Sequence, residues 1–184
     1  MKTIETKRLI LRALTLEDAD ALFQYAKKPN IGPMAGWKPH ETIEDTIKIL
    51  KLLVTEGEVW AITIKPENDI VGTIGLHVRN FINAVEDRRE IGYVLDDTYW
   101  GNGYTPEAVR AILEYGFKQE GLKEIVCGHY AHNKQSQRVI EKCGFVETHK
   151  EERDHFDGTK ITVKMYVITR EMYEKEVCHD ERIE

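Results

Sequence analysis

Residues 90–117 read EIGYVLDDTYWGNGYTPEAVRAILEYGF and hold, in order, a strand, a turn with two glycines and a helix. Glu90 to Leu95 is rich in strand-favouring residues. Gly101 and Gly103 free the backbone to curl. Thr105 is placed as N-cap and Pro106 as the first helical residue. Val109, Ile112, Leu113, Gly116 and Phe117 then fall on one helical face, and Gly121 ends the run. Successive N–H groups in such a turn converge, with the unsatisfied donors and positive dipole end of the helix behind them, so a phosphate group is the natural guest. The same glycines would serve a plain tight turn, and the surrounding chain has to decide between the two. Two common phosphate motifs are excluded: the Lys and Ser/Thr of GxxxxGK[ST] are missing, and Pro106 stands where GxGxxG needs its third glycine.

Upstream, Arg8 to Leu14 alternates like a strand, and Thr15 with Asp18 opens a helix over LTLEDADALFQYAKK that stops near Pro29. Asn30 to His40 is a loop holding Trp37, and Thr42 caps a further helix running to about Gly57. Val59–Lys65 and Ile70–Val78 form a hairpin across Pro66-Glu67-Asn68-Asp69. Downstream come a strand at Lys123–Tyr130, a helix capped by Asn133 and ending at Gly144, and strands at Phe145–Phe156 and Lys160–Thr169 joined by Asp157-Gly158. The order β-α-α-β-β-β-α-β-α-β-β places antiparallel hairpins on either side of one parallel crossover. It predicts an α/β fold, with one mixed sheet and helices on both faces.

The chain has 184 residues, 41% hydrophobic and 32% charged, enough for one domain, read as 1–173, with an acidic tail at 174–184 as a frayed end. With 26 Lys and Arg against 32 Asp and Glu the formal charge is −6, which argues against a surface given over to nucleic acid. No apolar run nears the roughly 18 residues of a membrane span, and Met1 to Arg8 lacks a signal-peptide core, so a soluble cytoplasmic protein with no membrane partner is expected. Cys127, Cys143 and Cys178 form no CxxC pair and read as buried or idle thiols.

A second informative segment is HYAHNKQSQRVIEKCGF, residues 129–145, in which Ser136, Val139, Ile140 and Cys143 share one helix face. Ser136 near the helix start either offers its hydroxyl to a group between helix and sheet or bonds back to the cap region. Asn133 is likewise a cap, a ligand contact, or both. Lys134, Arg138 and Lys142 line up as a solvated face or as a positive stripe for an anionic ligand tail. His129 and His132 have no well-spaced third ligand, so no metal is read.

Taken together, TKRLILRALTLEDADALF, EIGYVL, WGNGYTPEAV and AHNKQSQRVIEKCGF resemble the GNAT acetyltransferase superfamily, and more closely its Rim-type branch, which acetylates N-termini of ribosomal proteins and relatives. The resemblance spans most of the chain and implies the single-domain acyl-CoA N-acyltransferase fold. It implies that Trp100, Gly101, Asn102, Gly103, Tyr104 and Thr105 hold the pyrophosphate of acetyl-CoA. Tyr93, Val94 and Leu95 would run along pantetheine, Asn133 would contact the cofactor, and Ser136 would donate to the departing thiolate. Arg138 joins the cofactor residues through the positive stripe. The chain departs from the usual Q/R-x-x-G-x-G/A signature at Trp100, where Gln or Arg is customary, and at Thr105, where a small residue is customary, while Gly103 is in place.

Transfer to an amine needs a neutral nucleophile and donors for the oxyanion. Glu90 and His155 are the candidate bases: Rim-type enzymes use a glutamate near the strand after the GF pair, where His155 falls here. Backbone N–H groups near Val94 and Leu95, aimed by a bulge, are expected to meet the oxyanion. Trp37 would stack on the acceptor or anchor its loop. The implied acceptor is a protein N-terminal amine. The alternatives are a small-molecule amine (antibiotic, amino acid or polyamine) and a non-catalytic CoA-binding sensor. A monomer or homodimer, without metal or nucleic acid, completes the expectation.

Overall fold

The computed structural model describes residues 1–78 and 87–180, with side chains through Lys175; the Cys178 side chain and residues 181–184 lie outside what is described. Strands β1 (Ile4–Glu5), β2 (Leu9–Ala13), β3 (Val59–Ile64), β4 (Ile70–His77), β5 (Arg88–Leu95), β6 (Glu124–Tyr130), β7 (Val146–Asp154) and β8 (Lys160–Thr169) form one sheet in the order β1-β2-β3-β4-β5-β6-β8-β7. Helices α1 (Ala19–Ala26), α2 (Gly32–Ala35) and α3 (Ile43–Glu56) lie between β2 and β3. Helices α4 (Tyr104–Lys118) and α5 (Lys134–Lys142) flank β6, and α6 (Arg170–Asp180) follows β8. The expected order holds, with β1, the one-turn α2 and α6 added to it. No described helix is long and apolar enough to cross a membrane.

Two apolar layers fix the sheet. On one face Val109, Ile112, Leu113 and Phe117 of α4 and Ile140 of α5 pack with Leu11, Ile62, Ile91 and Ile125, all at most 3% exposed. Each such side chain contributes roughly 1.5–3 kcal/mol by leaving water. On the other face Leu22, Tyr25 and Ala26 of α1 and Leu50 of α3 cover Val59, Ala61 and Ile70. Cys127 and Cys143 are buried thiols, and burial pushes the Cys127 thiol far above its usual range.

One departure from the sequence reading bears on the site. Thr105 is not the N-cap: α4 starts at Tyr104, and Gly103, at φ +77°, caps it. Pro106 therefore sits third in the helix, where its missing N–H is still no loss.

The expected helix start after Thr15 is a capping box. The Asp18 carboxylate accepts from the Thr15 N–H at 2.8 Å and pairs with Arg12 at 2.6 Å, its side chain only 7% exposed. Burial alone would raise this carboxyl, but the Arg12 guanidinium and the Thr15 bonds hold it below the ordinary value of 3.8. Asp18→Asn should cost about 2 kcal/mol in urea unfolding, because it removes the charged partner of a half-buried guanidinium that keeps only its bonds to Asn68 and Ala13. The native carboxyl titrates lower than the unfolded one, so its contribution is complete above pH 3.8 and fades as pH falls further. A gap between wild type and variant that is equal at pH 7 and at the acid end would contradict this origin.

Candidate active site

Strands β5 and β6 are parallel and are paired only at Arg88–Glu124, Arg89–Ile125 and Glu90–Val126, after which they separate. On its other edge β5 stays in continuous antiparallel register with β4 from Glu90–His77 to Leu95–Gly72. Asp96 N–H donates to Val71 O at 2.9 Å. By the alternation of an antiparallel ladder, Glu90, Gly92 and Val94 then turn their peptide groups to β4, whereas Tyr93 and Leu95 turn theirs into the gap. The expected bulge is absent here: the β4–β5 register is unbroken, and the irregularity in this part of the sheet lies between Ile62 and Thr63. The Val94 N–H is accordingly spent on β4, and Leu95 carries the donor on the open side.

In the turn after β5 three carbonyls are held by side chains. Asn102 Nδ2 donates to Tyr99 O at 3.1 Å and Trp100 O at 3.3 Å, and Arg8 Nη1 donates to Asn102 O at 2.9 Å. The Trp100 indole N–H donates to Leu95 O at 2.9 Å, pinning the turn to the end of its strand. Gly101 and Gly103 have φ of +81° and +77°, the left-handed region open to glycine at no steric cost. Among the described residues the backbone N–H groups of Gly101 through Thr105 donate to no protein acceptor. Such a row of donors at the mouth of a 15-residue helix suits a diphosphate.

Helix α5 begins beside the same gap. Asn133 caps it through Oδ1, which accepts from Ser136 N–H at 3.0 Å. The Tyr93 hydroxyl lies 2.9 Å from Ser136 Oγ and 3.2 Å from Ser136 O. Burial drives the Tyr93 phenol well above its ordinary range, so it remains a donor. A cleft of about 1230 Å³ joins these groups, running from Met34, Trp37 and His40, past Glu90–Leu95, to Ser136 and Arg138. The turn, the diverging strands and the start of α5 thus face one space, and pantetheine with its diphosphate fits the donors they present.

The opposite face of the sheet holds what the sequence reading missed. Gly75 and Gly92 are cross-strand partners, leaving a floor bare of side chains. The His77 ring lies over it: a Cβ built on Gly75 would come within 2.3 Å of His77 Nε2. Nδ1 of His77 donates to Glu58 Oε2 at 3.2 Å, and Nε2 makes no hydrogen bond among the described residues. Only the alternation of β4 could have flagged His77, because Glu58 lies 19 residues away in sequence.

The other candidates separate. Glu90 is 9% exposed and meets Arg153 at 3.4 Å, while Arg153 also pairs with Glu151 at 2.5 Å. His155 does not line the cleft; it sits behind Tyr130, ring centroids 5.6 Å apart, and pairs with Asp157 at 2.9 Å. Two Thr159 bonds, with the His155 contact after them, bring the Asp157 carboxyl down to about 2. Trp37 lines the cleft with its ring 5.1 Å from His40. Gly36 brings this loop against Tyr130, whose hydroxyl would lie 2.8 Å from a Cβ built there.

Comparison with known proteins gives the same assignment. Residues 8–146 match the family model described as "Acetyltransferase (GNAT) domain". The chain is 31% identical over 179 residues to the uncharacterized N-acetyltransferase p20 of Bacillus licheniformis, covering 94% of this chain and 99% of that one. A solved GNAT-family acetyltransferase from Bacillus anthracis superposes with a TM-score of 0.83 at 27% identity, over 92% of this chain and 99% of the other. A RimL ribosomal L7/L12 alpha-N-protein acetyltransferase solved with coenzyme A shares the fold at 21% identity and a TM-score of 0.76, over 91% and 98% of the two chains. With its splayed parallel strands, its glycine turn and these relatives, the chain belongs to the GNAT family of acetyl-CoA-dependent N-acetyltransferases.

Proposed function

We propose that the acceptor is a peptide N-terminal α-amine, and that the observation carrying this reading is His77 held by Glu58 over the Gly75–Gly92 floor. A carboxylate only accepts, so Nδ1 carries the proton and Nε2 is left as a base. An imidazole is matched to an α-ammonium of pKa about 7.7–8.0 and poorly matched to a lysine ammonium near 10.4. Glu90 with Arg153 borders the same face and sets its charge, and Trp37 forms the wall the acceptor passes. The similarity to a RimL protein that modifies an α-amine supports the choice.

Acetyl-CoA, when bound, supplies the acetyl thioester. In this reading Gly101 through Thr105 hold its diphosphate, with Asn133 and Arg138 beside it and Tyr93 and Leu95 facing the pantetheine arm. The Leu95 N–H is the donor turned toward the thioester carbonyl. The Tyr93 hydroxyl lies 2.9 Å from Ser136 Oγ; in this reading the phenol is the donor of that pair, which leaves the serine proton for the departing sulfur.

The experiment is CoA release over a panel of free-N-terminal peptides, Nα-blocked lysine peptides, polyamines and aminoglycosides. Peptide N-termini should give kcat/KM at least tenfold above the other classes; turnover confined to small amines would overturn the acceptor assignment. With an active acceptor, Ser136→Ala should lower kcat roughly hundredfold and leave KM for acetyl-CoA nearly unchanged. An unaltered kcat would remove Ser136 from the reaction.

For His77→Gln, kcat should fall about hundredfold at pH 7. The deficit should shrink above about pH 8, where an α-amine loses its proton unaided. A deficit of the same size at pH 9 would mean that His77 is not the base.

A further inference from the structure

The opening segment TKRL, residues 6–9, has no role in the reaction as proposed, yet it reaches the glycine turn through Arg8. Arg8 Nε and Nη2 both meet Glu107 Oε2 at 2.6 Å, and Glu107 Oε1 accepts from the Arg8 N–H at 2.9 Å and from the Thr6 hydroxyl at 2.6 Å. Burial would raise the Glu107 carboxyl, but these bonds keep it below its ordinary range, so the pair is ionised at neutral pH. The guanidinium also lies 4.7 Å from the Tyr104 ring centroid. Its remaining nitrogen, Nη1, donates to Asn102 O at 2.9 Å.

That last bond fixes a direction. In a planar trans peptide the carbonyl and the following N–H point opposite ways. An Asn102 carbonyl held on Arg8 therefore turns the Gly103 N–H away from Arg8, where it has no protein acceptor among the described residues. This peptide turns about ψ of Asn102 and φ of Gly103, and glycine at the second position, here at φ +77°, lets it adopt either orientation unless something outside the turn anchors it. The Asn102 side chain already holds the carbonyls of Tyr99 and Trp100, and Arg8 holds the carbonyl of Asn102 itself. Arg8 is itself fixed on four sides, by β2, Glu107, the Tyr104 ring and Asn102.

We propose that Arg8 is a positioning residue for coenzyme binding: it locks the Asn102–Gly103 peptide so that the Gly103 N–H faces the diphosphate of acetyl-CoA. The proposal rests on the reading of Gly101–Thr105 as the diphosphate-binding turn. Its charge is matched by Glu107, so it acts through the Asn102 carbonyl rather than as a cation offered to the phosphates. The N-terminal strand thereby sets cofactor affinity from 94 residues away.

The test needs no acceptor. The full chain, labelled with ¹⁵N-glycine, is titrated with coenzyme A by calorimetry and by ¹H–¹⁵N spectroscopy, as wild type, Arg8→Met and Arg8→Lys. In the wild type the Gly101 and Gly103 amide signals should both move downfield. In Arg8→Met the affinity should fall roughly tenfold to hundredfold. At saturation the Gly103 shift should collapse while the Gly101 shift persists, a selective change that a loss of general stability would not produce. Arg8→Lys keeps a cation for Glu107 but lacks the fork that also reaches Asn102, so it should fold like the wild type and bind as weakly as Arg8→Met. Full rescue by lysine would show that charge is what matters and would overturn the proposal, as would wild-type affinity with an intact Gly103 shift in Arg8→Met. A wild type whose two glycine amides ignore coenzyme A would instead refute the diphosphate reading itself.

Discussion

Parallel strands that pair for three residues and then part leave backbone polar groups that nothing in the sheet can satisfy, and the site is organised around that gap. β5 cannot close it, because its other edge is held in unbroken register by β4. β6 cannot either, since β8 binds it from Glu124 to Tyr130. The layers under α4 and under α1 and α3 hold both strands at their angle. A ligand with alternating amides and carbonyls fits between two such edges, and both helices that start at the parted ends, α4 and α5, turn their N-termini to it.

The strand alternation then divides the work between the faces of β5. Ile91, Tyr93 and Leu95 pack with the α4 and α5 layer, which brings Tyr93 to Ser136. Val94 packs with the α1 and α3 layer, the face that carries His77 over the glycine floor. In the proposed reading the thiol side and the amine side lie on opposite faces of β5, and the bare Gly75–Gly92 pair is where they would meet.

Much of this was legible in the sequence. The face Val109, Ile112, Leu113, Gly116 and Phe117 is buried as its period requires, and Asn133 caps its helix. The left-handed glycines of the turn and the position of Ser136 at the start of α5 follow from turn composition and helix periodicity, which leave local marks. The cap of α4 was misplaced because Thr105 and Pro106 imitate a helix start, whereas Gly103 caps it two residues earlier through its left-handed backbone. The expected bulge near Val94 was wrong because the parting of the strands, not an inserted residue, opens the edge. His77 with Glu58 and Arg8 with Glu107 escaped notice for one reason: each pair joins residues distant in the chain, and only the sheet register and the packing of β2 on α4 bring them together.

The most direct measurement is a crystal structure of the chain with acetyl-CoA. The account predicts the diphosphate on the amides of Gly101 through Thr105 and the thioester between β5 and β6, next to Leu95 and Ser136. A coenzyme bound elsewhere, with that turn filled by the protein's own side chains, would contradict it.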